Sequence, residues 1–170
     1  TEYFTGKSAK DLTLCRSDFA DAYGIDLRLS TKACAIDPVH KTVTLHDGEV
    51  IAYDKLVLAT GSYAFVPPIP GHDRHNCFVY RTIDDLDALK QASLNAKTGV
   101  AIGGGLLGLE AAKALRDLNL ETHVVEFAPR LMAVQIDDLG GKVLKAKIEN
   151  LGVKVHTQKA TSSIEAGTSS

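Results

Sequence analysis

A glycine-rich hexapeptide is the part of the sequence best suited to bind a phosphate group. Gly103-Gly104-Gly105-Leu106-Leu107-Gly108 fits the pattern G-x-G-x-x-G between a predicted strand and a predicted helix. In such a turn Gly103 permits the tight bend, Gly105 leaves room for a pyrophosphate, and Gly108 lets the helix pack against the strand. The N–H groups at the start of the helix add partial positive charge. The hexapeptide therefore predicts a dinucleotide-binding site.

An acidic residue stands where this pattern requires one for the ribose of the nucleotide. Glu126 ends the next predicted strand, 18 residues after Gly108, and its carboxylate can accept hydrogen bonds from both ribose hydroxyls. Because the same charge repels a 2′-phosphate, we expect NAD(H) to be preferred over NADP(H). Arg130 offers a cation that would soften this preference, and a solvated loop charge is an equal alternative for it.

Two other interpretations of the glycine turn stay open at this point. The turn can serve packing alone, or it can belong to a methyltransferase that binds S-adenosylmethionine through a glycine turn and a ribose-binding acid. The strand before the turn, the helix after it and Glu126 at the end of the next strand favour the dinucleotide.

Alternating strand and helix patterns surround the hexapeptide and predict how it is positioned. A helix capped by Thr82 is predicted to run to about Ala96. After it, predicted strands (100–102, 122–126 and 153–156) alternate with predicted helices (106–118 and 137–151). This order predicts an α/β fold with a Rossmann-like, NAD-binding parallel sheet.

The first part of the chain predicts a different architecture. Ser8 and Asp11 form a capping-box pattern that predicts a helix ending at Gly24. Short strands are then predicted at 25–29, 33–37, 42–45 and 50–53, with an Asp-Gly hairpin turn at Asp47. These strands predict an antiparallel β-meander. The apolar run 55–59 predicts a strand buried on both faces.

Composition limits the classes of partner. The 170 residues carry a formal net charge of −2 and no apolar run near the roughly 20 residues that span a bilayer. We therefore expect a cytoplasmic protein that binds neither nucleic acid nor membrane.

The three cysteines form no C-x-x-C pair, and the loop group His72, Asp73, His75 and Cys77 lacks the spacing of a standard metal site. No metal ligands are predicted.

Several segments resemble one family. The segment 53–61 (YDKLVLATG), followed by the glycine turn, resembles the FAD-dependent pyridine nucleotide oxidoreductases. Longer segments resemble the branch of that family formed by the large subunits of NAD(P)H-dependent assimilatory nitrite reductases. These segments are 59–63 (ATGSY), 66–71 (VPPIPG), 78–86 (FVYRTIDDL), 103–112 (GGGLLGLEAA) and 121–132 (ETHVVEFAPRLM).

The resemblance implies an electron-entry region in which NADH delivers hydride to FAD. Electrons would then pass through iron–sulfur centres to a sirohaem, where nitrite is reduced to ammonia. It implies that Glu110 lies near the nicotinamide, and that Ala59, Thr60, Gly61 and Arg81 contact FAD. No side chain need act as a catalytic acid or base, because the flavin carries the chemistry.

The resemblance also implies that the chain is an interior fragment. Residues 1–80 would form part of an FAD-binding domain that lacks its own glycine-rich unit, and residues 81–170 would form a C-terminally truncated NAD(H)-binding domain. FAD binding is expected in the parent protein rather than in this chain alone, and the sirohaem and iron–sulfur domains would lie outside it. The isolated chain is expected to be inactive, and its unpaired strands predict a homodimer.

Three rival interpretations remain. A rubredoxin or ferredoxin reductase of the same superfamily would use the same NADH and FAD sites but would lack sirohaem ligands. A non-catalytic module would bind NADH without flavin, and the Ala59–Gly61 segment argues against it. A pure interaction module would bind no dinucleotide.

Overall fold

The computed structural model describes residues 2–167, and these form two compact units. One unit runs from Thr13 to Tyr63, and the other joins the chain up to Leu12 with the chain from Ala64 onward. The predicted boundary between residues 80 and 81 separates cofactor-binding regions and remains a prediction. It does not coincide with the boundaries of the compact units, because residues 64–80 group with the C-terminal part of the chain.

The unit Thr13–Tyr63 is built around an antiparallel sheet. A short helix, α1 (Phe19–Ala22), precedes three strands, β1 (Ala33–Asp37), β2 (Thr42–Leu45) and β3 (Val50–Ala52). Their order is β1-β2-β3, and Val43 of β2 lies opposite Ile36 on one side and Ile51 on the other. Gly48 supplies the positive φ of +89° that the turn between β2 and β3 requires. The predicted β-meander is confirmed.

The helix predicted over residues 8–24 is wrong. The capping-box hydrogen bonds form, since Ser8 N donates to Asp11 Oδ2 at 2.9 Å and Asp11 N to Ser8 Oγ at 3.3 Å. They begin only a 3-10 helix, Lys10–Leu12, and the chain becomes helical again only in α1. Cys15 is exposed and Phe19 is 43% exposed, so the apolar side of the predicted helix is not buried against a surface that would stabilise it.

Two predicted strands, 25–29 and 55–59, are also wrong, because the described chain gives neither of them a pairing partner. Leu27 and Leu29 are exposed, and Val57 and Leu58 are 85% and 65% exposed. An apolar run becomes a buried strand only when neighbouring strands satisfy its backbone and cover its faces.

The other unit contains a parallel sheet flanked by helices. After a 3-10 helix, Glu2–Thr5, and helix α2 (Ile83–Ser93), the order is β4 (Thr98–Ile102), α3 (Leu106–Asp117), β5 (Glu121–Val125), α4 (Asp138–Asn150) and β6 (Lys154–His156). The strands pair in parallel in the order β4-β5-β6. The predicted alternation of strands and helices, and the parallel sheet, are confirmed.

The core of this unit lies between one face of the sheet and α3. Val124 of β5 and Ala114 of α3 are fully buried, and Ala112 is 1% exposed. Inward residues alternate along β4 and β5, as the two-residue period of a strand requires. The core holds the carboxyl ends of β4 and β5 side by side, with Ile102 opposite Val125. No helix within residues 2–167 is long and apolar enough to cross a membrane.

A capping box at the start of α2 gives the fold a pH dependence. Asp85 Oδ2 accepts a hydrogen bond from Thr82 N at 2.7 Å, and Asp85 N donates to Thr82 Oγ1 at 3.2 Å. The bond from the Thr82 backbone N–H is the main reason that the pKa of Asp85 lies below its ordinary value. A carboxyl whose pKa is lower in the folded chain stabilises the fold above its unfolded pKa and stops doing so as the pH falls through its folded pKa.

We therefore expect Asp85→Ala to lower the free energy of unfolding by roughly 1 kcal/mol at neutral pH, with the difference shrinking as the pH falls below about 4. Urea unfolding of both proteins over this pH range measures it. Asp84→Ala is the matched control, because Asp84 lies in the same first turn but does not form the capping box. An equal loss of unfolding free energy in the two variants would contradict the stabilising role of the capping box.

Candidate functional site

The glycine turn joins the carboxyl end of β4 to the start of α3. Gly103 has a φ of +112°, a conformation that residues with a side chain rarely adopt. Its N–H donates to Val125 O of the neighbouring strand at 2.8 Å. The turn therefore begins at the edge of the sheet where ligands bind in open α/β folds.

The N-terminus of α3 is open. Gly105 is its N-cap and provides no side-chain acceptor, whereas Thr82 caps α2 and Asp137 caps α4. A Cβ built on Gly105 would meet no atom within 4 Å. The first N–H groups of a helix have no acceptor within the helix, so α3 presents donors and partial positive charge to open space. An anion such as a pyrophosphate fits this arrangement.

Gly108 has the packing role that the motif predicts. A Cβ at this position would lie 1.9 Å from the carbonyl oxygen of Gly103 and 2.8 Å from its carbon. The first turn of α3 thus packs directly on the backbone of the glycine turn, and only glycine allows this approach.

The carboxylate of Glu126 is held beside the turn by two backbone donors. Its Oε2 accepts from Gly104 N at 2.5 Å, and its Oε1 accepts from Ala128 N at 2.6 Å. The Glu126 backbone is fixed as well, because its N–H donates to His156 O at 2.8 Å. Each carboxylate oxygen can accept more than one hydrogen bond. The side chain therefore reaches the turn with capacity left for a ribose hydroxyl.

The middle glycine of the turn, Gly104, is held by contacts that the motif does not predict. A Cβ on Gly104 would lie 2.6 Å from Leu131 Cδ2 and 3.0 Å from Glu126 Oε2. Leu131 is fully buried, and Met132 N donates to Gly104 O at 2.9 Å. The sequence gives one indication of this close packing, because a glycine stands at a position where the motif admits any residue.

Arg130 is held by acceptors in its own loop and at the start of α4. Its guanidinium donates to Ile136 O, Ala133 O and Asp138 Oδ1 at 3.0, 3.1 and 2.7 Å. Its side chain is 28% exposed, so it is not a solvated loop charge. Its N–H groups point into its own loop, and the predicted contact of Arg130 with the nucleotide stays a prediction.

The remaining predicted site residues are exposed. Glu110 lies on α3, and Leu106 and Leu107 in its first turn are 61% and 66% exposed. The Ala59–Gly61 segment is irregular and belongs to the other compact unit, Thr13–Tyr63. Arg81 precedes α2. Within residues 2–167, no group of three or more His, Cys, Asp or Glu side chains is arranged to hold a metal ion.

The chain is similar in sequence to known proteins. The chain is 58% identical over 164 residues to the large subunit of nitrite reductase [NAD(P)H] from Klebsiella oxytoca, covering 96% of this chain and 17% of the relative. It is 48% identical to the nitrite reductase (NADH) large subunit of Escherichia coli K12, covering 95% of this chain and 19% of the relative. The chain thus spans under a fifth of the length of these relatives.

The fold of the chain is also similar to that of a solved structure. The crystal structure of NADH:rubredoxin oxidoreductase from Clostridium acetobutylicum superposes with a TM-score of 0.79 at 34% identity, covering 95% of this chain and 42% of that one. The sequence profile of the pyridine nucleotide-disulphide oxidoreductases matches residues 6–169, and this family implies NAD(P)H and FAD as cofactors. The chain belongs to the pyridine nucleotide-disulphide oxidoreductase family.

Proposed function

We propose that this chain binds NADH as part of the flavin-linked electron-entry region of a nitrite reductase large subunit. One observation carries the proposal: the uncapped N-terminus of α3 faces open space at Gly105, and the carboxylate of Glu126 is fixed beside it. A pyrophosphate and the adenosine ribose attached to it require these two groups together.

The residues of the chain would bind and orient the nucleotide. The backbone from Gly103 to Gly108 would hold the pyrophosphate, and Glu126 would hold the ribose. Glu110, further along α3, would lie toward the nicotinamide. FAD, when bound, would supply the hydride acceptor, so the residues of the chain would only need to hold the nucleotide in position.

We assign only part of the FAD site to this chain. Ala59–Gly61 and Arg81 would contact FAD if the resemblance holds at these positions, and these exposed residues supply no glycine turn of their own for a second pyrophosphate. The rest of that site, with the sirohaem and the iron–sulfur centres, would come from the remainder of a parent protein. A homodimer is a further expectation that light scattering would test.

NADH is the expected nucleotide. A 2′-phosphate placed on the ribose would approach the Glu126 carboxylate, and the like charges would repel. Arg130 offers little compensation, because its donors bond Ala133 O, Ile136 O and Asp138. We therefore propose that NADPH binds this site more weakly than NADH.

A small redox protein is an alternative electron acceptor to nitrite, and one observation supports it. The likeness to NADH:rubredoxin oxidoreductase extends over 95% of the chain, so a short reductase that passes electrons to a small redox protein would use the same nucleotide site. The greater identity to nitrite reductase large subunits, 58% and 48%, favours nitrite. Nitrite-dependent NADH oxidation by the full-length polypeptide separates the two.

Calorimetric titration of NADH into the chain, with NADPH in parallel, tests the proposal directly. Binding of NADH with weaker binding of NADPH is expected. Binding of neither nucleotide would contradict a working site in this chain, and tighter binding of NADPH would contradict the role of Glu126.

A further inference from the structure

The segment after β5 bonds to the glycine turn at several points. We call residues 126–137, between β5 and α4, the clamp loop. Within it, Glu126 Oε2 accepts from Gly104 N at 2.5 Å, and Met132 N donates to Gly104 O at 2.9 Å. Both polar backbone groups of Gly104 are thus bonded to the clamp loop. The buried side chain of Leu131 fills the space that a Cβ on Gly104 would need.

Arg130 gives the clamp loop its shape. All three guanidinium nitrogens donate hydrogen bonds: Nε to Ile136 O, Nη2 to Ala133 O and Nη1 to Asp138 Oδ1. The first two acceptors lie in the later part of the loop, and Asp138 begins α4. The stem of Arg130 also packs on α4, since a Cβ on Gly141 would lie 2.9 Å from its Cβ and Cδ. Only a planar guanidinium presents donors in these three directions from one side chain.

From this geometry we propose that Arg130 is a positioning residue for the dinucleotide site. It holds the clamp loop against α4, the loop holds Gly104 through Met132 and Glu126, and Gly104 sets the turn that receives the pyrophosphate. Arg130 acts on binding without touching the nucleotide. This inference rests on the proposed NADH site, and it replaces the expectation that Arg130 offers its charge to a 2′-phosphate.

The two roles predict different nucleotide selectivity. If Arg130 positions the turn, its loss weakens NADH and NADPH by the same factor, because both share the pyrophosphate and because the Glu126 backbone is held separately by His156 O. If Arg130 binds a 2′-phosphate, its loss weakens NADPH more than NADH. The ratio of the two affinities therefore separates positioning from contact.

The experiment compares Arg130→Ala, Arg130→Lys and the matched control Arg116→Ala. Arg116 is also ion-paired to an aspartate at 2.7 Å and is similarly exposed, 33% against 28%, but its partner is Asp117 at the end of α3. Affinities for NADH and NADPH are measured by calorimetry. Exchange of the Met132 amide hydrogen is followed by NMR, because this amide donates to Gly104 O.

For Arg130→Ala we expect roughly tenfold weaker NADH binding, an unchanged NADH-to-NADPH ratio and faster exchange at Met132. Arg130→Lys should restore part of the affinity, since an ammonium can keep the ion pair with Asp138 but cannot span both carbonyls. Arg116→Ala should leave NADH affinity and Met132 exchange unchanged, even where it lowers the melting temperature.

Wild-type affinity and wild-type Met132 exchange in a folded Arg130→Ala variant would overturn the inference, as would a selective loss of NADPH. If that variant does not fold, Arg130→Lys decides in the same way. If the wild-type chain binds no NADH, the proposed function fails. Met132 exchange then still tests whether Arg130 holds the turn.

Discussion

Replacing Gly108 with alanine is expected to abolish measurable NADH binding and to lower the free energy of unfolding by about 3 kcal/mol. The added methyl would lie 1.9 Å from Gly103 O, which is backbone and cannot rotate away. Relief requires the first turn of α3 to move off the glycine turn, and this separates the N–H donors from the pyrophosphate position.

Urea unfolding and NADH titration of the same preparation measure both effects. Gly105→Ala is the control for stability, because a methyl at Gly105 meets no atom within 4 Å and its φ of −79° suits any residue. Wild-type stability together with wild-type NADH affinity in Gly108→Ala would show that α3 does not pack on the turn in this way.

Replacing Glu126 with alanine is expected to weaken NADH binding by roughly a hundredfold, equivalent to about 2.7 kcal/mol. The substitution removes the ribose acceptor, and it also leaves Gly104 N and Ala128 N without the carboxylate that accepts from them. The preference for NADH over NADPH should disappear with the charge.

Glu126→Gln separates charge from hydrogen bonding. The amide keeps one oxygen for Gly104 N or Ala128 N and presents an NH₂ group to the other, so we expect an intermediate loss of NADH affinity and a clear gain of NADPH relative to NADH. Glu149→Gln is the matched control, because Glu149 lies on α4 and pairs with Lys145 at 3.7 Å. Unchanged NADH affinity in Glu126→Ala would contradict a ribose-binding role.

The parallel-sheet unit was largely predictable from the sequence because its local signals and its packing agree. The strand ending at Ile102, the glycine turn and helix α3 each have a clear pattern, and each finds the neighbours it requires within the chain. Local pattern and tertiary environment then give the same result.

The strand predicted over 55–59 is wrong because a local apolar pattern does not determine whether partner strands are available. Its apolar residues match a buried strand, but burial depends on partner strands, and the described chain supplies none. The helix predicted over 8–24 differs for the same reason: its capping box forms, but Cys15 and Phe19 on its predicted apolar side stay exposed.

The candidate site was predictable where side chains or the absence of side chains define it, as at Gly105, Gly108 and Glu126. It was not predictable where backbone groups define it. The bond from Met132 N to Gly104 O leaves no pattern in the sequence, because every residue except proline has the same donor. The direction of the Arg130 side chain also depends on where the clamp loop turns, which spacing along the chain does not encode.

The most direct test of the nucleotide site is a calorimetric titration of NADH into Gly105→Ala beside the wild-type chain. The substitution adds one methyl in open space beside the uncapped N-terminus of α3, where the pyrophosphate is expected to lie. Wild-type unfolding free energy with at least about tenfold weaker NADH binding is the predicted result. NADH binding of equal affinity in the two proteins would contradict a pyrophosphate site at the N-terminus of α3, because the nucleotide would then lie elsewhere.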